Sequence, residues 1–125
     1  MIEKQIMTRP NPIREKSYQF ALKIMDLCKT LRQQKEFELS EQLFRSGTSI
    51  GANVEEASAG QTKKDFTAKM AIASKEARET NYWLRLLRDG NICIGIDVAP
   101  LIEESQEMVR MLTAIVKTAQ TNADA

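Results

Sequence analysis

The stretch Leu43–Leu87, LFRSGTSIGANVEEASAGQTKKDFTAKMAIASKEARETNYWLRLL, decides the fold. It contains two series of apolar or small residues that step by three and four positions, which keeps each series on one face of an α-helix. The two series are Leu43, Gly47, Ile50, Val54 and Ala57, and then Phe66, Met70, Ala73, Ala77, Thr80, Leu84 and Leu87. The pattern predicts a hairpin of two amphipathic helices, at about 39–59 and about 63–89.

The break between the two helices carries residues that are typical of helix ends. Gly60 suits the left-handed position after a helix, and Thr62 suits an N-cap with Asp65 three residues later. Gly47 and Gly51 have the GxxxG spacing inside the first helix of the hairpin. Because charged residues surround them, we interpret this spacing as close helix packing, not as a membrane dimer motif or a ligand site.

Two further helices flank the hairpin. Asn11 followed by Pro12 is a helix start signal, and it predicts a first helix over about 12–35. Asp97 can cap a last helix that continues to about residue 119. The first helix has the core series Ile13, Ser17, Phe20, Ile24, Leu27 and Leu31, with Ala21 and Cys28 beside it, and the last helix has Val98, Leu101, Ser105, Met108, Leu112, Ile115 and Ala119.

Four helices with short connections predict an all-α fold, an antiparallel up-down-up-down four-helix bundle. We expect an N-terminal arm over 1–11, the bundle over 12–119 and a flexible tail over 120–125. The four helical segments carry net charges of +3, −3, +3 and −2, so sequential neighbours are complementary. Surface ion pairs are individually weak, so this complementarity supports the order of the helices more than their stability.

The composition excludes several classes of function. The chain of 125 residues has no histidine, which removes the usual general base and the Glu-x-x-His pairs of di-metal bundles. Cys28 and Cys93 form no CxxC motif, and without a signal peptide pattern they suggest reduced thiols in a cytoplasmic protein. No apolar run is long enough to cross a membrane. We therefore expect no enzyme activity, no metal, no cofactor and no small-molecule substrate.

Charged residues on the predicted third helix are sorted by face. At ~100° per residue, one side carries basic residues and an aromatic ring, a combination that suits contact with nucleic acid. This side, the basic strip, consists of Lys64, Lys75, Arg78, Tyr82 and Arg85. The alternative is an ordinary solvated face, helped by a Lys75–Glu79 pair at i,i+4. A net charge of only +1 gives weak overall attraction to RNA, so both interpretations stay open.

Two helices carry apolar residues away from their core faces. The first helix has Tyr18, Leu22 and Met25, and the third helix has Ile72, Trp83 and Leu86. A monomeric bundle does not need a second apolar stripe on a helix, so these two sets are the candidate interface of a homo-oligomer.

The hairpin also resembles a known family. The segment QLFRSGTSIGANVEEA, from Gln42 to Ala57, resembles the "QLxRSxxSIxANIxEG" segment of bacterial 23S rRNA-intervening-sequence proteins. A second block of that family resembles three parts of this chain: Asp65-Phe66, Lys69, and the segment KEARETNYWL from Lys75 to Leu84. The chain departs from the family pattern at Ala57, where glycine is common. The resemblance extends over about residues 12–118 of this sequence.

The resemblance implies a cytosolic bacterial protein, an antiparallel four-helix bundle and a homopentamer. Members are often encoded within insertions in rRNA genes, and a similar fold serves as the strongly basic, nucleic-acid-binding accessory protein of diversity-generating retroelements. The family motif includes a set of polar residues for which we expect interhelical or intersubunit salt bridges and hydrogen bonds. These residues are Arg45, Asn53, Glu56, Glu76 and Glu79.

These observations predict a non-catalytic, homo-oligomeric helical scaffold that contacts RNA through the basic strip. The alternative is a protein-binding adaptor with no nucleic-acid role.

Overall fold

The computed structural model describes residues 12–92 and 95–124, and these form four α-helices and no strand. The helices are α1 (Pro12–Gln33), α2 (Phe37–Ser58), α3 (Lys63–Asp89) and α4 (Ala99–Asp124). The predicted all-α class with four helices is confirmed. The predicted arm over 1–11, together with the cap at Asn11 and the loop residues Cys93 and Ile94, lies outside the described residues.

The core consists largely of the residues that the helical spacing selects. All six residues of the predicted α1 series are buried, as are all five of α2, although Ala21 beside the α1 series is partly exposed. The predicted α4 series is partly exposed at Leu101, Ile115 and Ala119. In α3 the series is buried except for Phe66, which is partly exposed at the first turn. Large side chains such as Phe20, Met70 and Met108 are fully buried. Removing one such side chain from water contributes roughly 1.5–3 kcal/mol, which makes this shared core the main source of stability.

Contacts between helices link the start of one helix with the end of the next. Arg14 in α1 contacts Glu55 near the end of α2, whereas Cys28 late in α1 contacts Ser40 early in α2. Between α3 and α4, Ser74 meets Thr113 and Asn81 meets Ser105. The main packing partners are α1 with α2, α2 with α3, and α3 with α4, while α1 and α4 touch less extensively.

Two glycines of α2 lie on the side that faces α1, and one of them permits a very close approach. A Cβ atom added to Gly47 would lie 2.8 Å from Cγ2 of Ile24, which is far too near. A Cβ atom added to Gly51 would lie 3.5 Å from the Ser17 carbonyl oxygen, an ordinary contact. Since glycine inside a helix costs up to ~1 kcal/mol, Gly47 is explained by the packing of Ile24.

The helix ends agree with the sequence in part. Thr62 caps α3 by accepting a hydrogen bond from the Asp65 backbone N–H at 3.0 Å, and Asp97 accepts one from the Ala99 N–H at 3.0 Å. The expected left-handed glycine at Gly60 is wrong. Among the described residues, positive φ values occur at Lys35 (64°), Asn91 (51°) and Gly95 (86°).

The turn after α1 is closed without glycine. The Glu36 N–H donates to the Leu31 carbonyl at 2.8 Å, so Lys35 takes the left-handed position that glycine usually fills. As a result, α1 ends at Gln33 and α2 begins at Phe37, two residues earlier than predicted. At the other end of the chain, α4 continues past the predicted boundary at residue 119 to Asp124.

Candidate nucleic-acid interface

All five residues of the basic strip are exposed on α3. Arg78 reaches α4, where its Nη2 donates to the Thr113 hydroxyl at 3.3 Å. Arg85 donates from Nε to Oδ1 of Asn81 at 2.8 Å. The guanidinium carbon of Arg85 lies 5.8 Å from the centre of the Tyr82 ring, a distance that allows a cation–π contact. Arg78, Tyr82 and Arg85 therefore lie together beside α4.

The aromatic ring at the centre of the strip is held by its neighbour. Tyr82 is 47% exposed, and its ring packs edge-on against Trp83 with centroids 5.2 Å apart and planes at 65°. Trp83 is partly buried and packs against the hydrophobic core. The Tyr82 ring therefore has one rigid neighbour and a solvent-accessible surface.

Two cations of α4 extend the strip, and the sequence analysis missed them. Arg110 and Lys117 are exposed, and they lie three residues before and four residues after Thr113. At ~100° per residue this places them on the same side of α4 as Thr113, which Arg78 contacts. The α3/α4 basic surface is the set Lys64, Lys75, Arg78, Arg85, Arg110 and Lys117. The two series adjoin only because α3 packs against α4, which the pattern of either helix alone does not show.

Within the described parts of the chain, none of the six cations of this surface forms an ion pair. Lys75 does not pair with Glu79, because Glu79 and Glu76 both bind Arg45 of α2. Cations elsewhere are mostly neutralised: Arg14 by Glu55, Lys69 by Glu56, and Lys16 and Lys23 by carboxylates of α4. Unpaired positive charge is therefore concentrated on the α3/α4 basic surface, although the net charge of the chain is only +1.

The acidic residues of α4 explain this separation. Glu104 binds Lys23 at 2.8 Å and Glu107 binds Lys16 at 3.0 Å, so both carboxylates face α1 and not α3. The expected complementarity between α3 and α4 therefore produces no ion pair among the described residues. Asp89, which binds Arg88, and the exposed Glu103 lie toward the Arg85 end. The positive field is thus strongest from Arg78 toward Lys117.

The polar residues of the family motif connect helices, with one exception. Arg45 bridges α2 to Glu76 and Glu79 of α3, and Glu56 binds Lys69 at 2.9 Å. Asn53 instead donates to the Ser49 carbonyl within its own helix at 2.8 Å. Four of these five residues therefore join α2 to α3 within one chain.

Ion pairs shift the pKa of two exposed carboxyl groups. The hydrogen bond from Arg14 lowers the pKa of Glu55, and the hydrogen bond from Arg88 lowers that of Asp89. Burial raises the pKa of the Cys28 thiol, and the Ser40 side chain and the charge of Arg32 oppose this only in part. A buried thiol with a raised pKa is a poor nucleophile, so Cys28 has a structural role.

An open depression of about 470 Å³ lies where the end of α1 meets the start of α2. Arg32, Phe37, Phe44 and Ser40 contribute to its lining. The Ser40 hydroxyl donates its proton to the Cys28 carbonyl at 3.3 Å, which gives it a structural role between α1 and α2. Over the described residues there is no cluster of three metal-ligating side chains and no helix that could cross a membrane.

Most of the candidate interface residues are exposed. Tyr18, Leu22 and Met25 of α1 have exposed fractions of 58%, 43% and 38%. On α3, Ile72 and Leu86 are each 41% exposed. Trp83 differs, because it packs partly on its own core and its buried indole N–H has no acceptor among the described residues.

Two phenylalanines extend the α1 patch, and the sequence analysis did not assign them to it. Phe37 is 60% exposed and Phe44 is 45% exposed. Phe44 lies three residues before Gly47 and seven before Gly51, so it is on the side of α2 that faces α1. Phe37 lies a further two turns back on the same side. The larger patch spans two helices, which the pattern of either helix alone does not show.

Comparison with known proteins agrees with the resemblance of the hairpin. Residues 9–114 match the family described as 23S rRNA-intervening sequence protein. The chain is also similar to a crystal structure from Bacteroides thetaiotaomicron, a protein of unknown function from the S23 ribosomal protein family. The two sequences are 43% identical, with a TM-score of 0.79, over 84% of this chain and 98% of that one. No curated protein matches the chain.

Proposed function

Because the chain belongs to the 23S rRNA-intervening sequence protein family, we propose that it is a non-catalytic, homo-oligomeric scaffold that contacts RNA through the basic strip of α3. One observation carries this proposal: six exposed cations that form no ion pair with the described residues lie on adjoining sides of α3 and α4, while most other cations are neutralised. Phosphate groups are the natural partners of such a surface, because their binding releases counterions. A net charge of +1 does not prevent this, since the field is local.

The scaffold itself is inferred to be an antiparallel up-down-up-down bundle. The contacts Arg14–Glu55 and Cys28–Ser40 pair opposite ends of α1 and α2. Between α3 and α4 the order of contacts is reversed, since Ser74 meets Thr113 whereas the later Asn81 meets the earlier Ser105. Short connections between sequential helices support the same order.

The proposed oligomer uses the two apolar patches. The patch of α1 and α2 (Tyr18, Leu22, Met25, Phe37 and Phe44) differs from that of α3 (Ile72 and Leu86). Contact between two unlike patches is heterologous, and a heterologous contact closes into a ring when its rotation allows. The number of five subunits and the cytoplasmic location are proposed from the family resemblance. The free, buried Cys28 thiol is compatible with a reducing compartment.

The RNA contact is tested by titrating labelled RNA with the protein at about 50 mM and about 200 mM salt. We expect salt-sensitive binding that the double variant Lys75→Glu, Arg78→Glu abolishes. Lys23→Glu with Lys35→Glu makes the same charge change on exposed positions outside the basic surface and outside both apolar patches, and it serves as the matched control. Binding that is equal in both double variants, or no binding of wild type at low salt, contradicts the proposal and favours the protein-binding adaptor.

The oligomer is tested by light scattering at micromolar concentration. Leu22→Glu together with Leu86→Glu places a charge on each patch, and we expect it to lower the mass to that of one chain. Gln33→Glu with Gln61→Glu changes exposed polar positions outside both patches, and it should leave the mass unchanged. A wild type that is monomeric, or a Leu22/Leu86 variant that keeps the wild-type mass, contradicts the assembly.

A further inference from the structure

The α3/α4 basic surface has an aromatic ring at a fixed place among its cations. Tyr82 is the exposed ring, and Arg85 lies over it at 5.8 Å. Arg78 lies one helical turn before Tyr82 on the same strip. A surface that bound phosphate alone would need only the cations, so the presence of the Tyr82 ring has to be explained separately.

The Tyr82 ring and the Arg85 guanidinium are both held in place by the protein. Trp83 packs edge-on against the ring at 5.2 Å and is itself anchored on the core. Asn81 accepts from Arg85 at 2.8 Å, and its amide nitrogen donates to the Ser105 hydroxyl of α4 at 2.9 Å. Groups that are already oriented lose little conformational freedom when a ligand binds.

We propose that this surface binds single-stranded RNA, with one unpaired base stacked on Tyr82 and the flanking phosphates on the cations of α3 and α4. This inference rests on the proposed RNA contact and specifies its form. Bases in an A-form duplex are stacked on each other, and the deep, narrow major groove keeps them from protein side chains. An aromatic ring on the exposed face of a helix can therefore stack on a base only where the RNA strand is unpaired. An aromatic platform beside a basic groove is the usual combination in single-strand binding.

The six cations set the path of the strand. Lys64 and Lys75 lie along α3 on one side of Tyr82, and Arg110 and Lys117 lie along α4 beside them. From Lys75 to Arg85 the helix rises about 15 Å, and from Lys64 to Arg85 about 30 Å. Asp89 and Glu103 lie toward the Arg85 end, so the strand is expected to extend from Tyr82 in the other direction, toward Lys117.

The test compares a labelled single strand of RNA with the same strand annealed to its complement, by fluorescence anisotropy on the full chain. We expect the single strand to bind at least about tenfold more tightly than the duplex, and Tyr82→Leu to remove most of this preference. Tyr82→Phe keeps the ring and should bind within about twofold of wild type. Since Tyr82 is exposed, neither substitution removes core packing, and circular dichroism verifies the fold.

The single tryptophan provides a second readout. Trp83 is the only tryptophan in the sequence and its ring lies 5.2 Å from Tyr82, so a base stacked there should change its fluorescence. Equal binding of single strand and duplex, with no loss in Tyr82→Leu, overturns this inference but leaves the phosphate contact intact. Failure of wild type to bind either form at low salt instead overturns the proposed function itself.

Discussion

The approach of α1 to α2 at Gly47 leads to a prediction that separates two opposing effects of the same substitution. Replacing a helical glycine by alanine gains up to ~1 kcal/mol of helix propensity, and this gain applies equally to Gly47 and Gly51 in α2. The two sites differ in space. The new Cβ would lie 2.8 Å from Ile24 at position 47 but 3.5 Å from Ser17 at position 51.

The magnitude follows from how well Ile24 can move away. Three atoms near the root of its side chain lie within 3.2 Å of the new Cβ, and a β-branched residue in a helix has one strongly preferred rotamer. Forcing an extra carbon into a packed core costs roughly 1–3 kcal/mol. Gly47→Ala should therefore lower the free energy of unfolding by about 1 kcal/mol after the propensity gain, whereas Gly51→Ala should raise it by about 0.5–1 kcal/mol.

Urea denaturation followed by circular dichroism measures both changes. A double-mutant cycle gives the decisive comparison. Ile24→Ala alone should cost about 2–5 kcal/mol by cavity formation, but in that background Gly47→Ala should become neutral or stabilising. If Gly47→Ala stabilises the wild type as much as Gly51→Ala does, or if its effect is the same with and without Ile24, the reasoning is refuted.

Three further predictions concern local structure. Lys35 has a φ of 64°, so Lys35→Gly should raise the free energy of unfolding by about 0.5–1 kcal/mol. Asn91→Gly should give a smaller gain, because asparagine tolerates the left-handed region. Equal effects at the two sites in urea titrations would argue against backbone strain at Lys35. Arg45→Met leaves Glu76 and Glu79 without their cation and should lower the free energy of unfolding by about 1 kcal/mol. Arg32→Met removes a cation that forms no ion pair with any residue the structure describes, so it should change the urea midpoint little; similar midpoints for both variants would contradict the α2–α3 bridge. The Cys93→Ser variant keeps Cys28 as its single thiol. Because Cys28 is buried and its pKa is raised, this variant should react with a thiol reagent only at the rate of unfolding. Fast reaction of the native protein at neutral pH would contradict the burial of Cys28.

The fold is largely predictable from the sequence because helical periodicity is a local property. Helical spacing places Leu43, Ile50 and Val54 on one face of α2, and all three are buried. Thr62 caps α3 as predicted. The errors lie where local signals compete. Gly60 does not take the left-handed conformation predicted for it, whereas Lys35 takes one in a turn that no glycine marks, because turn geometry depends on how the flanking helices pack.

The candidate interface is predictable only in part, because it depends on which faces of separate helices meet. The strip from Lys75 to Arg85 follows from one helix, but Arg110 and Lys117 join it only through the contact of Arg78 with Thr113. In the same way, the pairing of Lys75 with Glu79 is plausible in an isolated helix. In the folded chain Arg45 of α2 binds Glu79 instead, and among the residues that the structure describes Lys75 has no ion pair.

The salt dependence of RNA binding tests the central claim most directly, because it counts phosphate contacts. For a single strand, each contact contributes about 0.7 to the slope of the logarithm of the binding constant against the logarithm of salt concentration. In this measurement Lys75→Gln with Arg78→Gln, which keeps binding detectable, should reduce the steepness of the wild-type slope by about 1.4, while Lys23→Gln with Lys35→Gln leaves it unchanged. A slope near zero in wild type, or an equal reduction in both double variants, would contradict the account of the α3/α4 basic surface.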